Sequence, residues 1–324
     1  MRTTRLGRQG PLVSALGLGC MGMSDFYGPA DDDTSLATLA HAAEIGVTLL
    51  DTGDFYGMGH NEMLIGRALR RLGRDRFLLS VKFGAMRAPD GGFGGFDASP
   101  AAMRNFLAYS LKRLGTDHID IYRPARLDPD VPIEEVIGAI ARMVEAGYIR
   151  HIGLSEVSAG TIRRAHAVHP IVDVQMEYSL MSRTIEREIL PTVRELGIGV
   201  TAYGVLSRGL IAPAPPTGRD RFPRFQGEAL AANRRLVDRL AALAAEAGIT
   251  VSQLALAWVF SRDPAIVPLI GTRHSERLDE AAAVLDLQLP PALLARAGEI
   301  VSPDRVAGAR YDPHQMEALD SERG

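Results

Sequence analysis

The sequence predicts an α/β chain that forms one domain over residues 1–324, a (β/α)8 TIM barrel, and three features carry that expectation. Short apolar runs alternate with amphipathic segments eight times at even spacing. The runs are rich in Val, Ile and Leu, as parallel strands covered on both faces should be. No break divides the repeats into halves, as a doubly wound sheet would normally show.

Residues 2–16 come first as a β-hairpin, Thr3–Leu6 and Leu12–Leu16, turning at Gly7 to Gly10. The strand Ala15–Cys20 is followed by a helix over Asp33–Ile45, Val47–Asp51 by Asn61–Leu72, Phe77–Phe83 by Ser99–Leu114, and Ile119–Ala125 by Ile133–Ala146. In the second half Ile149–Ser155 precedes Ala159–Val168, Val172–Tyr178 precedes Glu186–Leu196, Val200–Val205 precedes Val251–Ser261, and Ile266–Ile270 precedes Ser275–Leu285. Pro100 and Pro132 stand where helices begin, and Gly147 and Gly197 where they end. Two connections are long: Gly84–Asp97, with Gly91-Gly92-Phe93-Gly94-Gly95, and Leu206–Ala229, with Pro213, Pro215, Pro216, Gly218 and Pro223. Both leave the C-terminal ends of strands, where barrels build active sites, so they are expected to be lids or substrate walls, with a mobile surface insertion of no role as the alternative. Pro290–Ile300 reads as an extra helix, and Ser302–Gly324 as a polar tail that either crosses the site or frays.

Composition narrows the function classes. With 324 residues, 46% hydrophobic and 23% charged, the chain has the make-up of an ordinary soluble globular protein. A net charge of −3 offers no electrostatic footprint for nucleic acid or an anionic membrane. The single cysteine, Cys20, excludes an internal disulfide and a Cys-rich metal site, and fits a reducing, cytoplasmic compartment. No apolar run reaches the roughly 18 residues of a membrane span. Arg2, Arg5 and Arg8 precede an apolar stretch, but Gly10-Pro11 interrupts it and no small-x-small cleavage site follows, so no signal peptide is expected. The partner is therefore a small molecule, with no metal; the oligomeric state stays open.

The chemistry gathers around Leu49-Leu50-Asp51-Thr52-Gly53-Asp54-Phe55-Tyr56-Gly57. Asp51 ends one buried strand, Tyr56 lies on the loop that leaves it, and Lys82 is near the end of the next strand. Adjacent parallel strands are about 4.8 Å apart, so Asp51 and Lys82 can touch, and a phenol beside them suits proton transfer. A structural ion pair is the plainer alternative, but only Lys82 and Lys112 are lysines among 36 basic residues, which marks position 82 as needing a compact charge. Gly17-Leu18-Gly19-Cys20-Met21-Gly22 matches a dinucleotide fingerprint in letters only, because Gly28, Pro29 and a run of aspartates prevent a helix from starting inside it. Gly271-Thr272-Arg273-His274-Ser275-Glu276-Arg277 is the better anion site: a helix N-terminus with two arginines after the last strand suits a ribose 2′-phosphate, hence NADPH, with a plain surface cap and two solvated arginines as the alternative that this stretch alone would favour.

The motif Asp51-Thr52-Gly53-Asp54-x-Tyr56-Gly57-x-Gly59-x-Asn61-Glu62, with Lys82, Gly153-Leu154-Ser155-Glu156, Gln175 and Gly271-Thr272-Arg273 in this order, resembles the aldo-keto reductase superfamily over essentially the whole chain. The resemblance implies a barrel that reduces aldehydes or ketones with NADPH and no metal. It implies Tyr56 as general acid, Lys82 lowering its pKa, and Asp51 holding Lys82. Tyr203 would stack on the nicotinamide, and Ser155 and Gln175 would hold its carboxamide. Leu206, Ser207 and Arg208 would follow the pyrophosphate, and Arg273, Arg277 and Glu280 the adenosine end. Gly19, Met21, Asp51, Gly204, Gly271 and Thr272 complete the expected cofactor contacts.

Two positions depart from the pattern: Ala125 stands where relatives carry a carbonyl-polarising histidine, and Ala281 where an adenine-binding asparagine is usual. Two further readings stay open, a cofactor-binding regulatory or interaction subunit, and a reductase of a C=C bond or an imine. Phe26, Tyr27, Met86, Phe93, Phe96 and Phe222 suggest an apolar-walled pocket. Strand alternation turns Arg123 to the same face as Ala125, about 6.6 Å further down, where a buried cation needs a carboxylate, Asp51 being the candidate, unless the side chain leaves through the wall.

Overall fold

The chain is described from a computed structural model over residues 1–24, 27–212 and 219–323. Eight strands close a parallel barrel: β3 (Gly17–Gly19), β4 (Leu49–Gly53), β5 (Leu78–Phe83), β8 (Ile119–Pro124), β9 (Ile149–Ser155), β10 (Ile171–Glu177), β11 (Gly199–Tyr203) and β12 (Ile266–Gly271). Each pairs with the next, and β12 closes on β3, with Gly271 opposite Gly19. The eight strands are the eight that the apolar runs predict.

A hairpin of β1 (Thr3–Arg5) and β2 (Leu12–Ser14) precedes the barrel and covers its N-terminal end. Leu6 and Val13 of this segment pack with Leu49, Ile121, Val267 and Leu269, the apolar filling of the barrel's lower half. The approach is close enough that a Cβ on Gly199 would lie 2.6 Å from the Gly7 nitrogen, so the floor is sealed by backbone against backbone.

The helical layer is α1 (Asp32–Glu44), α2 (His60–Leu72), α3 (Pro100–Leu114), α4 (Ile133–Glu145), α5 (Ala159–Val168), α6 (Ile189–Leu196), α7 (Gly227–Glu246), α8 (Val251–Arg262), α9 (Ser275–Ala283) and α10 (Pro291–Ile300). Local chemistry sets the ends. Ser99 accepts from the Ala102 N–H with Pro100 in the first turn of α3, and Thr250 and Gln253 form a reciprocal capping box at α8. The outward faces of the strands and the inward stripes of the helices make the main core.

Three segments differ from expectation. The twenty-residue α7 stands where the sequence reading left an unassigned stretch after a long loop. It buries Leu236, Val237, Leu240, Leu243 and Ala244, but its many alanines dilute the apolar stripe that would announce it. The Gly84–Asp97 connection is not an open loop but contains a second hairpin, β6 (Ala85–Arg87) with β7 (Phe93–Phe96). The tail after α10 does not fray. It carries α11 (Pro313–Glu317) and lies over the C-terminal face, where the Ser158 N–H donates to Asp320 Oδ2 at 2.8 Å and the Ser321 N–H to the Glu156 carbonyl at 3.3 Å. Phe26 and the Pro213, Pro215, Pro216 and Gly218 run lie outside the described residues. Among the described residues, no single helix is long and apolar enough to cross a membrane.

Candidate active site

The inward residues at the mouth of β4, β5, β8, β10 and β11 are polar, and they bond to one another in two tiers. In the upper tier Lys82 Nζ donates to Asp51 Oδ1, and to Gln175 Oε1 at 3.1 Å. Asp51 Oδ2 also accepts from Gln175 Nε2 at 2.7 Å and from Ser80 Oγ at 2.8 Å. The lower tier is an ion pair between Arg123 and Asp173, bidentate at 2.6 and 3.1 Å and closed to solvent on both sides. Thr201 Oγ1 donates to the same carboxylate at 3.0 Å. Ser80 links the tiers, because it receives Arg123 Nη2 at 2.9 Å while donating upward to Asp51.

Arg123 thus does turn inward, but its carboxylate is Asp173 and not Asp51, a correction with a simple cause. Asp173 sits two residues before Gln175 on β10 and so shares its inward face, one layer below Asp51. Alternation explains the whole ladder, Ser80 with Lys82, Arg123 with Ala125, Asp173 with Gln175 and Thr201 with Tyr203. A lone aspartate in the apolar run Ile171–Met176 was the available signal, and the sequence reading passed over it.

Tyr56 opens the short helical turn Tyr56–Gly59 after β4, and its ring lies 5.2 Å from Lys82 Nζ. Burial, then the Asp51 carboxylate, pushes its phenol well above the ordinary tyrosine value, with Arg126 opposing. That direction is the reverse of the lowering the resemblance implies for Tyr56, and it leaves the phenol protonated at neutral pH. Burial also lowers the Lys82 ammonium, against the Asp51 charge that supports it. Both shifts disfavour charge: burial favours the neutral phenol over the phenolate and the neutral amine over the ammonium.

The remaining expected residues rim the mouth. Ser155 Oγ, at the end of β9, is buried without a hydrogen-bond partner among the described residues. Gln175, expected to share its role, is drawn into the ionic cluster instead. Tyr203 ends β11, with its hydroxyl donating to Glu156 Oε1 at 2.8 Å and standing 3.0 Å from the Tyr311 hydroxyl. Gly204 follows at φ 64°, then Leu206, with Ser207 and Arg208 both left-handed at φ 51° and 56°. The non-glycine residues with such backbones among those described are Met58, Glu156, Ser207 and Arg208, each in a loop at this face; strain of this kind gathers where function over-determines geometry.

Arg208 donates to Glu177 Oε2 at 2.7 Å, its guanidinium lying 4.3 Å from the Tyr311 ring centre and 4.6 Å from that of Phe222. From the tail, Arg310 enters the same pit and donates to Glu156 at 2.5 and 3.1 Å and to Glu177 at 3.3 Å. Although burial disfavours its ionisation, the Arg310 charge holds Glu156 down to about 2. Glu177, Arg310 and Tyr311 are not among the residues expected at the site: the first lies on the predicted strand Val172–Tyr178, and the other two in the tail that was expected either to cross the site or to fray.

At the opposite rim Gly19 and Gly271 face each other as the ends of β3 and β12, with nothing within 4 Å of a Cβ on Gly271. Met21 begins the turn Met21–Met23, and the motif that imitates a dinucleotide fingerprint is thus a strand end and a single turn, with α1 starting only at Asp32. Helix α9 opens without a side-chain cap, after Thr272, whose hydroxyl donates to the His274 carbonyl at 3.1 Å. Arg273 reaches the Gly22 and Gly28 carbonyls at 3.4 and 3.3 Å, and Arg277 is exposed on the first turn. Glu280, expected at the adenosine end, accepts from the Thr250 hydroxyl at 2.6 Å. Of the expected apolar wall, Phe222 packs against Tyr311 and Phe225, Phe93 pairs with Phe96 on the hairpin, and Tyr27 lies 3.8 Å below the Arg219 guanidinium.

Residues 15–301 match the sequence model of the Aldo/keto reductase family. A probable aldo-keto reductase 1 of Glycine max is 41% identical over 321 residues, covering 96% of this chain and 92% of that protein. Among solved structures, a glycerol dehydrogenase from Gluconobacter oxydans superposes at TM-score 0.84 with 26% identity, over 96% of this chain and 98% of the other. A thermostable aldo-keto reductase in complex with the inhibitor epalrestat superposes at TM-score 0.76 with 28% identity, over 93% of this chain and all of the other.

Proposed function

This chain belongs to the aldo/keto reductase family, and from that premise we propose that it reduces an aldehyde or an activated ketone to the alcohol with NADPH, using Tyr56 as the proton donor. Family and fold together make it an oxidoreductase, and the family acts on small-molecule carbonyl compounds with NAD(P)H. The observation that carries the finer reading is the Asp51–Lys82–Tyr56 constellation at the mouth of a barrel whose floor is sealed.

The residues suit the cofactor. The buried, unpartnered Ser155 Oγ offers an amide a hydrogen bond, and the Tyr203 ring offers a flat face. The bare Gly19 and Gly271 backbones permit close approach, and the uncapped α9 terminus with Arg273 and Arg277 favours a phosphate. When bound, the nicotinamide supplies the hydride. Tyr56 delivers a proton from its hydroxyl to the carbonyl oxygen. Lys82 offsets the charge left on that phenol; Asp51 and Gln175 accept hydrogen bonds from the lysine, and Ser80 and Gln175 donate to Asp51 in turn. Because Ala125 brings no second donor from β8's end, electrophilic aldehydes are the favoured class.

Tyr56→Phe should retain NADPH binding and lose carbonyl reduction by at least ~10², the scale set by a positioned general acid. Single-turnover kinetics decide it, and near-normal hydride transfer in the variant removes Tyr56 from the mechanism. Titrating NADPH and NADH by fluorescence tests the cofactor reading; equal affinities would leave the α9 terminus as a plain helix end.

A further inference from the structure

Ala125 is followed at once by Arg126, and the two residues turn over the edge of the site together. The Ala125 N–H donates to the Phe83 carbonyl at 2.8 Å, pinning the turn to the strand that carries Lys82. Arg126 is partly buried; its Nη1 donates to the Ala125 carbonyl at 2.6 Å, and its Nη2 lies 3.5 Å from the Tyr311 hydroxyl. That hydroxyl touches Tyr203, so Arg126 stands one contact from the proposed nicotinamide platform. Its charge also acts on Tyr56.

Four other cations of the mouth have carboxylate partners. Lys82 has Asp51, Arg123 has Asp173, Arg208 has Glu177 and Arg310 has Glu156. Arg126 has no carboxylate within 4.0 Å among the described residues. A guanidinium carries five N–H donors in a planar fork matched to a carboxylate, and a backbone carbonyl and a phenol use only part of it.

Building on the reductase reading, we propose that Arg126 is a specificity-determining residue that binds a carboxylate on the substrate, so that the preferred substrates are aldehydes carrying a carboxylate group. Such a substrate brings to the mouth the direct carboxylate contact that Arg126 lacks among the described residues, and its capture orients the aldehyde toward Tyr56 without a histidine at position 125.

The test uses 2-, 3- and 4-carboxybenzaldehyde, each against its methyl ester. The ester group withdraws more electron density from the ring, so intrinsic reactivity runs against the proposal. In the unmutated protein at least one acid should exceed its ester about tenfold or more in kcat/KM, as expected for a charge-assisted pair. Arg126→Met should erase that preference mainly through KM, Arg126→Lys should restore part of it, and NADPH affinity by fluorescence titration should hold. Absence of any acid preference, an equal loss for acid and ester, or a parallel loss of NADPH affinity overturns it. If the unmutated protein reduces no carbonyl, the reductase reading falls, and binding alone decides this one. A rise in melting temperature with terephthalate that Arg126→Met abolishes upholds it, and no rise in either protein overturns it.

Discussion

Asp54 is the residue whose neighbours satisfy it least. It follows β4, is buried, and neither carboxylate oxygen has a side-chain hydrogen-bond partner among the described residues; Glu62 Oε1 and the Tyr122 hydroxyl nearby are likewise unpartnered. Burial first, then the Glu62 charge, pushes Asp54 up to about 7, while the Gly84 and Phe55 backbones and Arg113 offset only part of this. The folded chain therefore binds a proton there that the unfolded chain has released. Stability from this residue is complete below the unfolded value of 3.8, declines as pH rises toward about 7, and is lost above it. The full difference is on the order of 4 kcal/mol. Asp54→Asn should accordingly raise the unfolding midpoint more at pH 8 than at pH 5, and denaturant titration at the two values checks it. An equal shift at both would mean that the carboxyl is ionised throughout. Single positions were legible in the sequence where chemistry is scarce, as with Lys82 among arginines, and illegible where an ordinary residue acts through its neighbours. Ser80 and Thr201 gave no sign that they donate to the Asp51 and Asp173 carboxylates respectively, because only the closed barrel brings those strands together.

Among the elements, strands were read more faithfully than what connects them. A buried parallel strand announces itself by an unbroken apolar run, whereas α7 spreads five buried apolar positions among alanines and arginines, and the second strand of the β6–β7 hairpin is half glycine. The tail offered two outcomes, and its polar composition hid the reason for the one observed: Arg310 is a buried counter-ion for Glu156 and Glu177. Arg310→Met should cost about 3–5 kcal/mol, the usual penalty for stranding a buried carboxylate. Glu156 lies below its ordinary 4.5, so the stability it contributes is present above pH 4.5 and disappears as pH falls toward about 2. The variant should lose that acid-side slope along with its stability, as chemical denaturation between pH 5 and 3 would measure. Retention of the slope would assign it to other carboxylates.

For the whole molecule, the barrel and its polar end were legible because eight repeats of one pattern leave few topologies, and the family motif covers residues on several of the strands. The hairpin at the N-terminus was also foreseen, but not its office. With the turn between β1 and β2 sealed against the Gly199 backbone below, and Arg310, Tyr311 and Asp320 laced across the top, the barrel is, among the described residues, a vessel closed at its floor and stitched at its mouth. Traffic in both directions shares that doorway. On the proposed reduction, unlacing rather than chemistry should set the pace for quickly reduced aldehydes, so kcat should level off at one value whatever the aldehyde. Moderate salt, which loosens ionic stitches, should raise that ceiling, and a kcat that instead follows the electrophilicity of each substrate would show the doorway standing open.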